Sequence, residues 1–152
     1  MKPNYLTILI TTLCIFFNAC HNSNTAPQLQ LADSLIDKRA DSALCILEKL
    51  SIEEISNKSA KAMYALLLTE ALDKNFKSHR NDSLILIAVD YYKDNSNNKL
   101  KTKAYYYLGR VYQDNKEYIK AIEAYLTALK TASPNQAPIL QRYIKKQIFY
   151  AR

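Results

Sequence analysis

Beyond residue 25, apolar residues recur at intervals of three and four positions, and short polar clusters interrupt them. That spacing is one face of an α-helix. The interruptions divide the chain into helices that come in pairs. The first pair is predicted over 26–38 and 41–50, with Asp41 as the N-cap of the second helix. Ala43, Leu44, Leu47 and Leu50 then share its inward face. The second pair is predicted over 58–74 and 82–94. Ala62, Leu66 and Leu67 face inward on its first helix, and Leu84, Ile87, Ala88 and Tyr91 on its second. A charged linker, 75–81, joins the two. The third pair is predicted over 99–113 and 117–131, around the polar turn Asp114-Asn115-Lys116. Ser133-Pro134-Asn135 ends it, because proline has no amide to donate and clashes with the preceding turn. A seventh helix begins near Gln136, with Ile139, Leu140, Tyr143, Ile144 and Ile148 as its apolar side.

Composition agrees with this pattern. One glycine and four prolines leave too little turn chemistry for a fold of many tight hairpins. Hydrophobic residues make up 49% of the chain, which excludes a disordered one. The expectation is an all-α fold of one modest domain. Tryptophan is absent and tyrosine occurs 12 times, so the cores are predicted to hold amphipathic rings whose hydroxyls reach water.

The first residues follow another pattern. Lys2 precedes the uncharged run Leu6 to Phe17 (LTILITTLCIFF). That run is short for a bilayer span, which takes about 20 apolar residues, and suits the core of a signal peptide. Small Ala19 stands directly before Cys20. Phe17-Asn18-Ala19-Cys20 resembles the lipobox of bacterial lipoproteins, with Phe17 and Asn18 in place of the usual leucine and small residue. The resemblance implies cleavage after a 1–19 signal peptide and lipidation, as with palmitate, of Cys20. It also implies a polar tether over 20–25 and a cell-envelope location, anchored to a bacterial membrane and facing the periplasm. The alternative is a plain signal peptide or uncleaved anchor in which Cys20 is incidental. Cleavage would remove Cys14 and leave Cys45 as the one unmodified thiol. A disulfide framework is then impossible, and Cys45, between Leu44 and Ile46, is predicted to be a small buried hydrophobe.

Within the third pair, KAYYYLGRVYQDNKEYIKAIEAYLTALKTASP resembles a single tetratricopeptide repeat, the 34-residue helical hairpin of solenoid proteins. Tyr105 stands at the family's first aromatic position, followed by Leu108, Gly109 and Tyr112. Ala121, Tyr125 and Ala128 take the small, aromatic and small positions of the second helix. The best-matched repeat spans 100–134, with Pro134 one residue late. Gly109 is the only glycine, and mid-helix it costs about 1 kcal/mol relative to alanine. A close approach to the paired helix, Gly109 against Ala121, is the expected compensation. Leu66-Leu67 is read as the eroded counterpart of Leu108-Gly109, and the first two pairs as degenerate repeats. The chain as a whole resembles tetratricopeptide lipoproteins of the Bacteroides-group type. The resemblance implies a tetratricopeptide-like solenoid over 26–152, of about three hairpins and a C-terminal helix.

Chemistry for catalysis is hard to assemble from these residues. His21 and His79 lack neighbours at metal-ligand spacing, one glycine cannot make a phosphate-binding loop, and no nucleophile–base pair stands out. Glu53-Glu54 reads as a solvated surface pair. No enzyme activity, cofactor or metal is expected. Asp33-Ser34-Leu35, Asp41-Ser42-Ala43 and Asp82-Ser83-Leu84 resemble Asp-Ser-aliphatic glycosylation sites of exported proteins, and two of them also suit helix starts. The net charge is +7, and beyond Glu123 five basic residues stand without an acid. They make either a solvated face or a contact for a membrane surface or acidic partner.

In the tetratricopeptide family the first helix of each repeat faces the concave side. On that helix Lys103, Tyr106, Arg110 and Gln113 share one face and form the candidate site for an extended peptide or acidic segment; the alternative is that this face packs the following helix or stays in water. Replacing Lys103 and Arg110 with alanine is expected to weaken partner capture without unfolding the domain. The expected function is a non-catalytic, membrane-anchored scaffold for a protein or peptide partner, with no direct nucleic-acid binding. The alternative is the sensory N-terminal part of a longer membrane-spanning transcriptional regulator.

Overall fold

The computed structural model describes residues 25–78 and 81–150. The leader over 1–19, Cys20, His21 and His79 lie outside the described residues. The fold is all-α. The described residues form α1 (Ala26–Leu35), α2 (Ala40–Leu47), a 3-10 turn (Ile52–Glu54) and α3 (Lys58–Lys74). They continue with α4 (Ser83–Tyr92), α5 (Asn98–Asp114), α6 (Tyr118–Thr131) and α7 (Ala137–Tyr150).

The helix ends explain the boundaries. Asn57 caps α3 by accepting from the Ala60 amide at 3.0 Å, and Asn97 caps α5 by accepting from Leu100 at 3.1 Å. At the other ends, Phe76 (φ 56°) and Lys116 (φ 62°) take the left-handed conformation. The Lys77 amide donates to the Leu72 carbonyl and Phe76 to Asp73; likewise Glu117 donates to Tyr112 and Lys116 to Gln113. Both are Schellman closures, made here without the usual glycine. Asn57 and Asn97, Asn75 and Asn115, and Phe76 and Lys116 therefore correspond at a spacing of 40 residues, and α3 and α5 are both 17 residues long. This register corrects one expectation. The counterpart of Leu108-Gly109 is Leu68-Thr69, not Leu66-Leu67.

Three further expectations are corrected. Asp41 does not cap α2; Arg39 holds that position without a side-chain bond, and Asp41 lies in the first turn. Cys45 is exposed rather than buried, because α2 turns Ala43, Leu44 and Leu47 inward and leaves Cys45 on its outer side. On α4 Ala88 is buried as predicted and Leu84 and Ile87 pack partly buried against the core, but the buried face is completed by Ile85, Val89 and Tyr92, and Tyr91 is exposed. Asp82 does stand at the start of α4 without capping it, since its carboxylate accepts from the Tyr112 hydroxyl instead.

Each helix packs on its neighbours in sequence, and α1 also packs on α3, and α3 on α5. The cores overlap through the odd-numbered helices. Leu67 and Ala71 of α3 join Leu29, Ala32, Ala43, Leu47 and Ile55 in one cluster. Ala62, Ala65 and Leu66, on the other side of α3, join Ile85, Ala88, Ala104, Leu108 and Val111 in the next. A third unites Ala121, Tyr125 and Ala128 with Leu140 and Ile144 of α7, and Tyr105, Tyr106 and Tyr112 of α5 pack against it. Alanines at the contacts let helix axes approach closely.

Candidate functional site

The first helices of the three pairs and α7 open onto one groove of about 570 Å³. The end of α1 and the turn after it contribute Asp33, Ile36 and Asp37, and the C-terminal turns of α3 contribute Glu70 and Lys74. The N-terminal halves of α5 and α7 add Lys99, Lys103, Tyr106 and Tyr107, and Ile139 and Leu140. Its charged residues balance, three acidic and three basic.

Glu70 is the hub of the groove floor. Its side chain is 2% exposed and meets Lys103 of α5, Lys74 of its own helix at 3.1 Å and the hydroxyl of Tyr107. Lys74 continues the row to α1, bonding Asp37 at 2.5 Å and the Ile36 carbonyl at 3.3 Å. The Lys74 bond holds the Asp37 carboxyl below its usual range. Burial works against the charge on Lys74, and its two carboxylate partners outweigh it, so its pKa is raised.

A second row lies one turn further along. Arg110 of α5 donates to Asp73 of α3 through Nε at 2.8 Å and Nη2 at 2.7 Å. Its guanidinium also lies 5.6 Å from the Tyr143 ring of α7, within cation–π range. Tyr106, Tyr125 and Tyr143 form a triangle of rings with centroids 5.5–6.0 Å apart. Burial pushes the hydroxyls of Tyr106, Tyr107 and Tyr125 above the ordinary tyrosine range.

Of the four residues singled out on α5, Lys103 and Tyr106 line the groove. Arg110 lines a separate shallow depression with Asp73, Phe76 and Asp114. Gln113 accepts from the Tyr125 hydroxyl at 3.1 Å. Lys103 and Arg110 are thus ion-paired within the chain, which changes what their removal should do. Sequence reasoning missed Lys99 and Thr102, although the three- and four-residue spacing of Lys103 and Tyr106 leads back to both. Glu70 was missed too, and its signal is the 40-residue correspondence with Arg110. Ile36, Asp37 and Ile139 come to the groove only through the packing of α1 and α7.

Among the described residues no cluster of His, Cys, Asp and Glu could hold a metal ion. None of their helices is long and apolar enough to cross a membrane. Comparison with family models, with curated proteins and with solved structures finds no match to this chain. What is defined so far is an all-α protein with a charge-balanced groove along its alternate helices.

Proposed function

We propose that this chain is a non-catalytic scaffold of the tetratricopeptide type, which holds an extended segment of a partner protein in the groove along α1, α3, α5 and α7. The observation that carries the reading is that four alternate helices, rather than one hairpin, contribute to a single continuous groove. An extended segment crossing them would meet a new set of side chains at each helix. The 40-residue correspondence between α3 and α5 supports a repeat architecture, and Tyr105, Leu108, Gly109 and Tyr112 supply its family pattern. In this reading Cys20 carries a lipid that tethers the scaffold to a bacterial membrane in the envelope.

A photo-crosslinking residue placed in cells at Ile139, in the groove, tests the scaffold. It should capture a discrete partner, and the same residue at Leu126, exposed on α6, should not. Equal capture at both positions, or none at Ile139, would overturn the reading. The anchor is tested separately: Cys20→Ala should abolish incorporation of a palmitate analogue.

A further inference from the structure

We infer that the groove selects an extended peptide of mixed charge, with a basic side chain toward α1, an acidic one toward α5 and an apolar one toward α7. This rests on the scaffold reading above and adds the chemistry of the occupant.

Six charged side chains line the groove, and four are already engaged with one another: Asp37 with Lys74, and Glu70 with Lys74 and Lys103. The other two are Asp33 on α1 and Lys99 on α5. Both are exposed, and neither forms an ion pair among the described residues. Asp33 stands toward the α1 end of the engaged row and Lys99 toward its α5 end, four residues before Asp37 and Lys103 respectively. Lys99 also acts through space on the Asp37 carboxylate. Toward α7 the wall carries Gln136 and then two apolar side chains, Ile139, 46% exposed, and Leu140.

A peptide lying in the groove displaces water from Asp33 and Lys99 and must answer both charges. Left unmatched they lose hydration without replacement, whereas matched pairs strengthen as the local dielectric falls. A wholly acidic ligand fits poorly. It would repel Asp33 and compete with Glu70 for Lys103.

Helix geometry sets the spacing. Packed helices lie about 8–10 Å apart, so α1 and α5, separated by α3, are about 16–20 Å apart. An extended chain rises about 3.3 Å per residue. The acidic residue should therefore lie about five or six positions from the basic one, and the apolar residue about three further on. Chain direction is left free by this geometry, so both senses belong in the test.

The probe is a set of fluorescein-labelled peptides in a Gly/Ser background. One carries Lys, Glu and Leu at these spacings, one is its reversed sequence, one has Lys and Glu exchanged, and one has Gln at both charged positions. Binding to the full-length chain in nonionic detergent is read by anisotropy. The Lys-Glu-Leu order, in one sense or the other, should bind about tenfold more tightly than the exchanged or neutral peptides. The double variant Asp33→Lys, Lys99→Glu should reverse the preference. Both positions are exposed, and an unchanged circular dichroism melt confirms that the variant folds. Equal affinity for ordered and exchanged peptides, no binding by any peptide, or an unaltered preference in the folded double variant would each overturn the inference. If Ile139 still crosslinks a partner while charge order is ignored, the scaffold stands and this inference falls. If Ile139 captures nothing, both fall.

Discussion

The ring of Tyr125 lies directly on Gly109, so that a Cβ built there would stand 2.8 Å from Cζ and closer still to Cδ1 and Cε1. The neighbour that requires the glycine is therefore the aromatic ring of α6 and not Ala121, the smaller residue expected to meet it. Tyr125 is fully buried and its hydroxyl is held by Gln113, so the ring has little room to retreat. Gly109→Ala should destabilise the protein by about 1–3 kcal/mol through overpacking, even though alanine favours the helix by about 1 kcal/mol. Tyr125→Leu should lose stability alone, and in the double variant the Gly109→Ala change should cost much less. Denaturant unfolding of the four proteins checks this. Strict additivity would show that ring and glycine do not oppose each other.

Glu70 leads to a different expectation for Lys103 than its position on α5 suggested. With Lys103 and Arg110 replaced by alanine, the buried Glu70 keeps Lys74 and loses its partner across the helices, and Asp73 loses Arg110. Breaking a buried pair costs about 3–5 kcal/mol. Both cations here are about one-fifth exposed, so the low end applies to each. The double variant should therefore melt well below the parent, and loss of partner capture by it would say nothing about direct contact. Lys103→Met paired with Glu70→Gln should recover part of the loss. A double variant as stable as the parent in urea would remove Glu70 from its role as hub.

Three hydroxyls give the fold an alkaline limit. The pKa values of Tyr106, Tyr107 and Tyr125 are raised in the folded state from the ordinary 10, first by burial. A raised folded value contributes stability that is fully present below pH 10 and lost as the pH climbs above it. Melting temperature should therefore be level between pH 7 and 9 with respect to these groups, and fall above 10. The late-ionising tyrosines should appear at 295 nm only with unfolding. Tyr107→Phe should soften that fall, at a cost near neutrality of about 1 kcal/mol for the lost bond to Glu70.

Cys45 should behave as a surface thiol. Exposed on α2, it should react with a maleimide in the native protein without waiting for unfolding, as peptide mass spectrometry after a short pulse can show. Cys45→Ser should change stability by less than about 0.5 kcal/mol. Labelling only in denaturant would return it to the core.

The elements legible from the sequence were those with local causes. Pro134 stops the third pair by its own geometry. The helix starts expected near 58 and 99 have their local cause in the Asn57 and Asn97 caps, which sequence reasoning did not name while it assigned a cap to Asp41. The apolar pattern of α3 also led correctly to Ala62, Leu66 and Leu67, all fully buried. On α4 the same procedure found Ala88 but turned Tyr91 inward where Tyr92 is the buried ring. Ser83–Tyr92 is apolar nearly all round, so periodicity cannot choose a face, and α3 and α5 chose Ile85, Ala88, Val89 and Tyr92.

By itself, then, the sequence determined an all-α chain of paired helices, their approximate limits, and the one hairpin where glycine is needed. Each of these follows from periodicity or proline geometry acting within a few residues. Tertiary structure decided what the glycine faces, which charges remain available, and that α1 and α7 share a groove with α5. Lys103, Arg110 and Lys99 are alike as cations in the sequence. Only the approach of α3, bringing Glu70 and Asp73 against the first two, distinguishes them from the third. Contacts of this kind join residues more than thirty positions apart, and local pattern carries no record of them.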